Sequence, residues 1–328
     1  MAQNRAIPFS QKNETTFTFI DLFAGIGGFR LAMQDIGGKC VYSSEWDEDA
    51  KKTYYHNFGE IPLGDITKQE VKNYIPQKFD ILCAGFPCQA FSIAGYQRGF
   101  NDTRGTLFFD IATIIRDHQP KVFFLENVKN LKNHDKGRTF AVIEKTLQDF
   151  GYIVFSKILN TMEYANIPQN RERIFIVGFD SEQVPNYTKF TFPSKQPLTR
   201  TIHDCIDYSE TDESLFYRED FRYYPFLKEM MTDNNTVYQW RRQYVRQNQS
   251  NVCPTLTANM GTGGHNVPLI ITPNGFRKLT PKECLNFQGF PEQYSFPNIA
   301  KSKCYKQAGN SVTVPLIRMV AQQIIDLL

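Results

Sequence analysis

Seven cysteines in 328 residues, an odd number with no C-x-x-C pair among them, give no basis for a disulfide framework or a zinc cluster. No metal is expected, and that usage fits a reducing cytoplasm. No run approaches the roughly 18 apolar residues that a membrane helix needs. Met1 to Thr16 is polar and lacks an apolar signal core, so no membrane association is expected. Net charge is scarce as well: 37 Lys+Arg against 34 Asp+Glu leave +3, which permits a nucleic-acid partner without demanding one. Internal repeats and low-complexity tracts are also missing, which excludes solenoids and compositionally disordered chains.

What the chain does have is length for one large domain or two unequal ones, with 41% apolar residues to fill a core. Short apolar runs alternate with longer amphipathic ones from Phe17 to about Phe179. Strands are expected at Phe17–Phe23, Cys40–Ser44, Asp80–Ala84, Val122–Leu125, Ile153–Leu159 and Ile174–Phe179. Helices are expected at Phe29–Ile36, Asp49–Asn57, Leu107–Asp117 and Thr139–Asp149. Alternation of this kind, with nearly continuous apolar strands, predicts an α/β fold built on a doubly wound, mostly parallel, Rossmann-like sheet covered on both faces.

After Phe192-Pro193 the rhythm breaks. Residues 195–280 are polar, rich in Asn, Gln and Tyr, and read as a smaller, loop-rich second domain. Trp240-Arg241-Arg242-Gln243-Tyr244-Val245-Arg246 interleaves arginines with aromatics, a pattern suited to phosphate contact plus base or sugar packing, although a solvated strand or helix face is the commoner origin of such a run taken alone. Thr280-Pro281-Lys282-Glu283 carries a capping box with proline at the first helical position. An amphipathic helix over Val312–Leu328 closes the chain and is expected to pack on the first domain.

Chemistry concentrates where the expected strands end. Phe23-Ala24-Gly25-Ile26-Gly27-Gly28 follows one strand and opens a helix, so backbone can approach a ligand closely. Glu45 ends the next strand, where an acid accepts from ribose hydroxyls. Trp46 beside it offers a flat surface for adenine, and with Gly64-Asp65-Ile66 these residues favour an adenosyl ligand. Cys88 in Gly85-Phe86-Pro87-Cys88-Gln89 sits on a turn directly after a buried strand. A free cysteine is most often a small buried hydrophobe, but this one precedes Ser92 to Gly105, a polar stretch punctuated by Gly95, Gly99 and Gly105 that has the composition of a lid. Glu126 ends an apolar strand, where an unpaired carboxylate is costly. It is either charge-paired for stability or a proton donor, and Arg171 or Arg173 could supply the pairing cation.

Six motifs in order, from Phe23–Gly28 through Pro87-Cys88-Gln89, Glu126-Asn127-Val128 and Gln169-x-Arg171-x-Arg173 to Arg277–Pro291 and Gly309-Asn310-Ser311-Val312, resemble the DNA cytosine-5 methyltransferases of bacterial restriction-modification systems. The likeness covers about 17–180 and 276–328. It implies S-adenosylmethionine as methyl donor, S-adenosylhomocysteine as product, and a cytosine flipped out of duplex DNA as substrate. It further implies that Cys88 attacks C6, with Gln89 in the catalytic set. Glu126 holds or protonates N3, Arg173 contacts O2, and Arg171 supports the pocket. Phe23, Gly25, Gly28, Glu45, Trp46, Asp65, Ile66, Pro87, Leu107, Asn310 and Val312 would line the cofactor pocket. Ser92, Arg98 and Arg104 in the lid, then Arg241, Arg242, Arg246, Thr255, Thr257, Gly263 and Gly264, would meet DNA. Ala94 stands where relatives carry a serine, so the lid's contact with the vacated base position is expected to differ.

By this reading 1–195 and 311–328 form the catalytic and cofactor-binding domain, 196–280 the target-recognition domain, and 281–310 a hinge and motif segment. The expected protein is a monomer in the bacterial cytoplasm, associated with the nucleoid. A cognate restriction endonuclease acting on the same site is compatible with it, without a stable complex. An RNA-directed branch of the same family is disfavoured by the Arg-, Gln- and Asn-rich reader, and a silent DNA-binding relative by the intact Cys88, Glu126 and Arg173. A nicotinamide dehydrogenase leaves Pro87-Cys88-Gln89 and the C-terminal motifs unexplained.

Overall fold

The computed structural model describes residues 7–10, 15–87, 107–241, 244–262 and 266–328. In chain order these form β1 (Phe17–Leu22), α1 (Gly28–Asp35), β2 (Gly38–Ser44), α2 (Glu48–Phe58), β3 (Ile81–Gly85), α3 (Leu107–His118), β4 (Val122–Val128), α4 (Arg138–Asp149) and β5 (Tyr152–Asn160). Then come β6 (Gln169–Asn170), β7 (Glu172–Asp180), β8 (Phe216–Tyr217), α5 (Tyr224–Met230), β9 (Tyr238–Arg241), β10 (Tyr244–Gln247) and β11 (Cys253–Pro254). The chain ends with β12 (Leu269–Thr272), β13 (Gly275–Lys278), α6 (Pro281–Asn286), α7 (Lys301–Asn310) and α8 (Val314–Ile325). It divides into two compact units: Met1–Leu159 with Glu172–Ser194 and Pro315–Leu328, and Asn160–Arg171 with Lys195–Val314.

The first unit is an α/β fold on a six-stranded sheet in the order β2-β1-β3-β4-β7-β5. β1 runs parallel to β2 and β3, and β3 parallel to β4, as continuous apolar strands demand when both faces are covered. β7 lies antiparallel to β4, so the sheet is mixed. Alternate residues of each strand serve opposite faces. Ile20, Leu82, Phe123 and Ile174 join Ile111 and Ile115 of α3 and Ile143 and Leu147 of α4 in one core. On β4 the next residue, Phe124, meets Phe29 of α1 with ring centroids 5.2 Å apart. At the end of α1, Asp35 pairs with Arg318 of α8 at 2.6 Å, which brings the C-terminal helix onto this unit.

β4 continues three residues beyond the apolar run, because β7 pairs with it through Glu126, Asn127 and Val128. The carboxyl ends of β1, β2, β3 and β4 share one edge of the sheet. From β1 the chain goes out to β2 and returns on the other side to β3, which makes a switch point where open α/β sheets bind ligands.

The second unit carries a five-stranded sheet in the order β10-β9-β12-β13-β8, antiparallel at each pairing. Its strands span two to four residues, too short for alternation to show in the sequence, which is why the region read as loops. Tyr238, Val245 and Leu269 pack with Leu227 of α5 and with Met231 on one face of this sheet. A second contact joins α7 to the 3-10 turn Ala258–Gly261. There a Cβ at Gly309 would lie 2.2 Å from the Thr257 carbonyl carbon and 2.7 Å from the Ala258 nitrogen. These are backbone atoms that cannot swing aside, so Gly309→Ala should lower stability by about 1–3 kcal/mol. An unchanged urea midpoint would show that the turn yields freely.

Candidate active site

The carboxyl edge of the first unit gathers most of the described residues singled out in the sequence for catalysis and cofactor binding. After β1 the backbone takes left-handed conformations at Phe23 (φ 55°), Gly25 (φ 55°) and Gly27 (φ 84°), and α1 begins at Gly28 without a side-chain cap. At Gly27 a Cβ would strike the Phe58 ring at 2.3 Å, whereas at Gly25, among the described residues, only the Phe23 carbonyl oxygen at 3.9 Å would be met. The turn is therefore packed on one side and open on the other.

Glu45 spans this turn and the start of α2. Its Oε2 accepts from the Gly25 backbone N–H at 2.8 Å, and its Oε1 from that of Asp47 at 2.7 Å. Burial raises its pKa, while the two N–H donors pull the other way. Asp47 in turn accepts from the Asp49 and Ala50 N–H groups, so α2 holds the acid in place. The Trp46 indole is 71% exposed, a flat apolar surface presented to solvent beside a carboxylate with spare lone pairs. An acceptor, a flat ring and an open glycine turn fit an adenosyl group. Ser44 bridges to Leu63, which brings Asp65 and buried Ile66 along the end of β2. Leu107 begins α3 half-buried, and Pro87 lies exposed after β3.

Glu126 and Arg173 sit on neighbouring strands of the same unit and form an ion pair, Nε to Oε1 at 3.0 Å, with side chains 10% and 14% exposed. Arg173 also donates from Nη1 to the Glu172 carbonyl oxygen at 2.8 Å, and Glu172 pairs with Lys129. The guanidinium is thereby fixed and fixes the carboxylate. Asn127, 2% exposed, donates from Nδ2 to the Phe86 carbonyl oxygen and accepts the Val128 N–H at Oδ1, both at 2.8 Å. This ties the end of β3, one residue before Pro87, to the strand that carries Glu126.

Arg171 behaves differently from Arg173 although only one residue separates them. It belongs to the second unit, is 2% exposed, and donates to the carbonyl oxygens of Leu256 at 2.8 Å and Ser311 at 2.5 Å. Thr255 donates its hydroxyl to the Asn170 carbonyl oxygen at 2.6 Å, and Thr257 is exposed. Asn310 is exposed and Val312 buried, both in this second unit. Arg246 is exposed on β10, and Arg241 ends β9. Cys88, Gln89, Ser92, Ala94, Arg98, Arg104, Arg242, Gly263 and Gly264 lie outside the described residues.

One residue near the turn escaped the sequence reading. Asp21 on β1 is fully buried, in register with Ser43 and Cys83, and neither carboxylate oxygen has a hydrogen-bond partner among the described residues. A lone acid in the strand Phe-Thr-Phe-Ile-Asp-Leu was the available signal. Burial pushes its pKa up to about 8, against the Arg30 charge and reinforced by Glu45. Because the folded value lies above the unfolded value of 3.8, stability tied to this group is full below about pH 4 and is lost as pH rises to about 8. Asp21→Asn should remove that decline, a difference on the order of a few kcal/mol across the window. Urea unfolding at pH 5, 6.5 and 8 tests it, and parallel curves for both proteins would refute the assignment.

A protein-family model for the C-5 cytosine-specific DNA methylases matches residues 17–326. The chain is 51% identical over 308 residues to the Type II methyltransferase M.Bsp6I of Bacillus sp. (strain RFL6), covering 92% of this chain and 96% of that protein. It is 46% identical over 325 residues to the Type II methyltransferase M.HpaII of Haemophilus parainfluenzae, covering 94% and 89%. Among solved structures, a Spodoptera frugiperda DNMT2 mutant superposes with a TM-score of 0.70 at 19% identity, covering 94% of this chain and 99% of that one, a likeness of fold.

Proposed function

Since the chain belongs to the C-5 cytosine-specific DNA methylase family, we propose that it methylates C5 of a cytosine flipped out of a specific short duplex sequence, as the modification enzyme of a restriction-modification system. The observation that carries this reading is the Glu126–Arg173 pair at the carboxyl edge of the sheet. It sits on the strand beside the one that leads to Pro87, and Asn127 clamps the two together.

Flipping is required because a nucleophile and a methyl group cannot both reach C6 and C5 of a stacked base. The Cys88 thiolate adds to C6, and the displaced electron pair runs through the ring towards N3 and C5. Glu126 uses Oε2 to hold N3 and supply its proton, while Arg173 keeps Oε1 and contacts the cytosine O2. S-adenosylmethionine supplies an electrophilic methyl group for C5 when bound. Phe23, Gly25 and Gly28 would hold its methionine end, Glu45 its ribose hydroxyls, Trp46 the face of its adenine and Asp65 with Ile66 the adenine edge. Pro87 and Leu107 would complete that pocket on the first unit. Loss of the C5 proton to water restores the C5–C6 double bond and expels Cys88 as thiolate, while N3 returns its proton to Glu126, which ends the cycle.

Residues 196–280 would read the target, with Thr255 and Arg171 fixing the reader's frame. The names of the similar Type II enzymes support a partner nuclease with the same target. One active centre per target strand suits a monomer, and duplex DNA as substrate suits the nucleoid. Transfer of labelled methyl groups to unmethylated duplex DNA, followed by bisulfite sequencing, tests the reading. Protected cytosines in one short recurring context are expected. Label on transfer RNA and none on DNA would overturn it.

A further inference from the structure

The edge of the second unit's sheet is a two-stranded ribbon with two unlike faces. β10 is an edge strand and pairs with β9, Tyr244 with Arg241, Val245 with Trp240, Arg246 with Gln239 and Gln247 with Tyr238. Tyr238 and Val245 are buried against Leu227 and Met231, with Trp240 packed on the same cluster. Alternation therefore turns Gln239, Tyr244 and Arg246 to the opposite face, where Tyr244 is 53% exposed and Arg246 is exposed. Across the strands, Arg246 Nη2 donates to Gln239 Oε1 at 2.7 Å, and among the described residues no carboxylate pairs with this guanidinium.

The surrounding sequence has the same bias. No aspartate or glutamate lies between Asp233 and Glu283, while Arg241, Arg242, Arg246, Lys278 and Lys282 fall in that interval besides Arg277, which is buried and paired with Glu283. Ordinary soluble surfaces intersperse both signs. A run with one sign only is complementary to a polyanion, and a two-stranded ribbon is of a width that B-DNA's major groove admits. A guanidinium has five N–H donors in a fixed fork. Gln239 engages one of them and so orients the fork, leaving parallel donors for a base edge.

We propose that the β9–β10 ribbon enters the major groove of the target duplex and that Arg246, held by Gln239, reads one guanine through O6 and N7. This rests on the reading of the chain as a duplex-DNA cytosine methyltransferase and adds to it the residue that sets one position of the target. Arg246 acts by touching the base, and Gln239 is a positioning residue.

The test applies wild-type protein, Arg246→Ala, Arg246→Lys and Gln239→Ala to a duplex library with randomised positions around the methylated cytosine, scored by bisulfite sequencing at several salt concentrations. Thermal midpoints close to wild type are expected, since Arg246 is exposed and Gln239 half-buried on the face turned away from the Tyr238–Val245 cluster. Wild type should reject replacement of one particular G·C pair by roughly five- to a hundred-fold. Arg246→Ala should abolish that discrimination at that position alone. Arg246→Lys should behave like alanine, because an ammonium is a single point donor, and Gln239→Ala should relax the same position partially. A uniform loss across all sequences, with the salt slope reduced by about 1, would make Arg246 a phosphate contact and overturn the inference. Unchanged specificity in all three variants would overturn it as well, with the parent reading intact. Wild-type protein that labels no duplex would remove the parent reading and the inference together.

Discussion

Cys88→Ala should leave no measurable methyl transfer to duplex DNA, a loss on the order of 10⁴-fold or more, while duplex binding should persist. The reason is chemical: C5 of cytosine becomes nucleophilic enough only after addition at C6, and an alanine methyl has no electron pair to add. β3 ends at Gly85, and Asn127 holds the Phe86 carbonyl oxygen, so the segment entering residue 88 keeps its anchor. Glu126→Gln separates the two halves of the proposal. A carboxamide preserves shape and can still accept from Arg173, but it cannot deliver a proton to N3, and general acid catalysis contributes about 10²–10⁴-fold. Single-turnover rates with labelled cofactor check both variants, alongside gel-shift affinities. Turnover by Cys88→Ala would end the nucleophile assignment, and near-normal rates for Glu126→Gln would end the proton-donor role.

How much of this was legible in the sequence depends on how local each interaction is. The β1–β4 framework and its helices were readable because each spans enough residues for apolar periodicity to show, and the capping box at Thr280 was readable because it is complete within four residues. The continuation of β4 through Val128 was not, since it is imposed by β7, far along the chain. Likewise, Gln169-x-Arg171-x-Arg173 read as one charged motif. Yet Arg173 pairs with Glu126, and Arg171 binds carbonyl oxygens of Leu256 and Ser311. Neither partner set is close in sequence, so no spacing rule distinguishes the two arginines. The strands of the second unit are hidden for another reason. At two to four residues each, β8 to β13 offer at most two side chains per face, and their pairing rather than their composition defines them. Buried charge is the hardest class to see: Arg30, Arg171 and Arg277 are each at most 2% exposed, against the ordinary expectation for arginine.

Arg277 gives the second large effect. Glu283→Ala should destabilise the protein by about 3–5 kcal/mol, a large part of a typical total of about 5–15 kcal/mol. The two side chains form a bidentate pair, Nη1 to Oε2 at 2.8 Å and Nη2 to Oε1 at 2.7 Å, each 1% exposed. Removing the carboxylate strands a guanidinium away from water, and it also releases the Thr280 and Asp207 backbone N–H groups, which Glu283 accepts at 2.7 and 2.8 Å. Buried ion pairs elsewhere are often replaceable together by apolar residues at little cost. That should fail here. Arg277→Met combined with Glu283→Leu removes both charges, yet it still leaves those two N–H groups and the Asp207 carbonyl oxygen, which Arg277 engages at 2.7 Å, unpartnered at about 1–3 kcal/mol apiece. The single variant should be the worse of the two, and neither should approach wild type. Urea unfolding gives the totals, and amide exchange at Asp207 and Thr280 reports the released donors directly. A double variant as stable as wild type would mean that the pair is an ordinary buried salt bridge, and that the Asp207 and Thr280 backbone is held by something other than these two side chains.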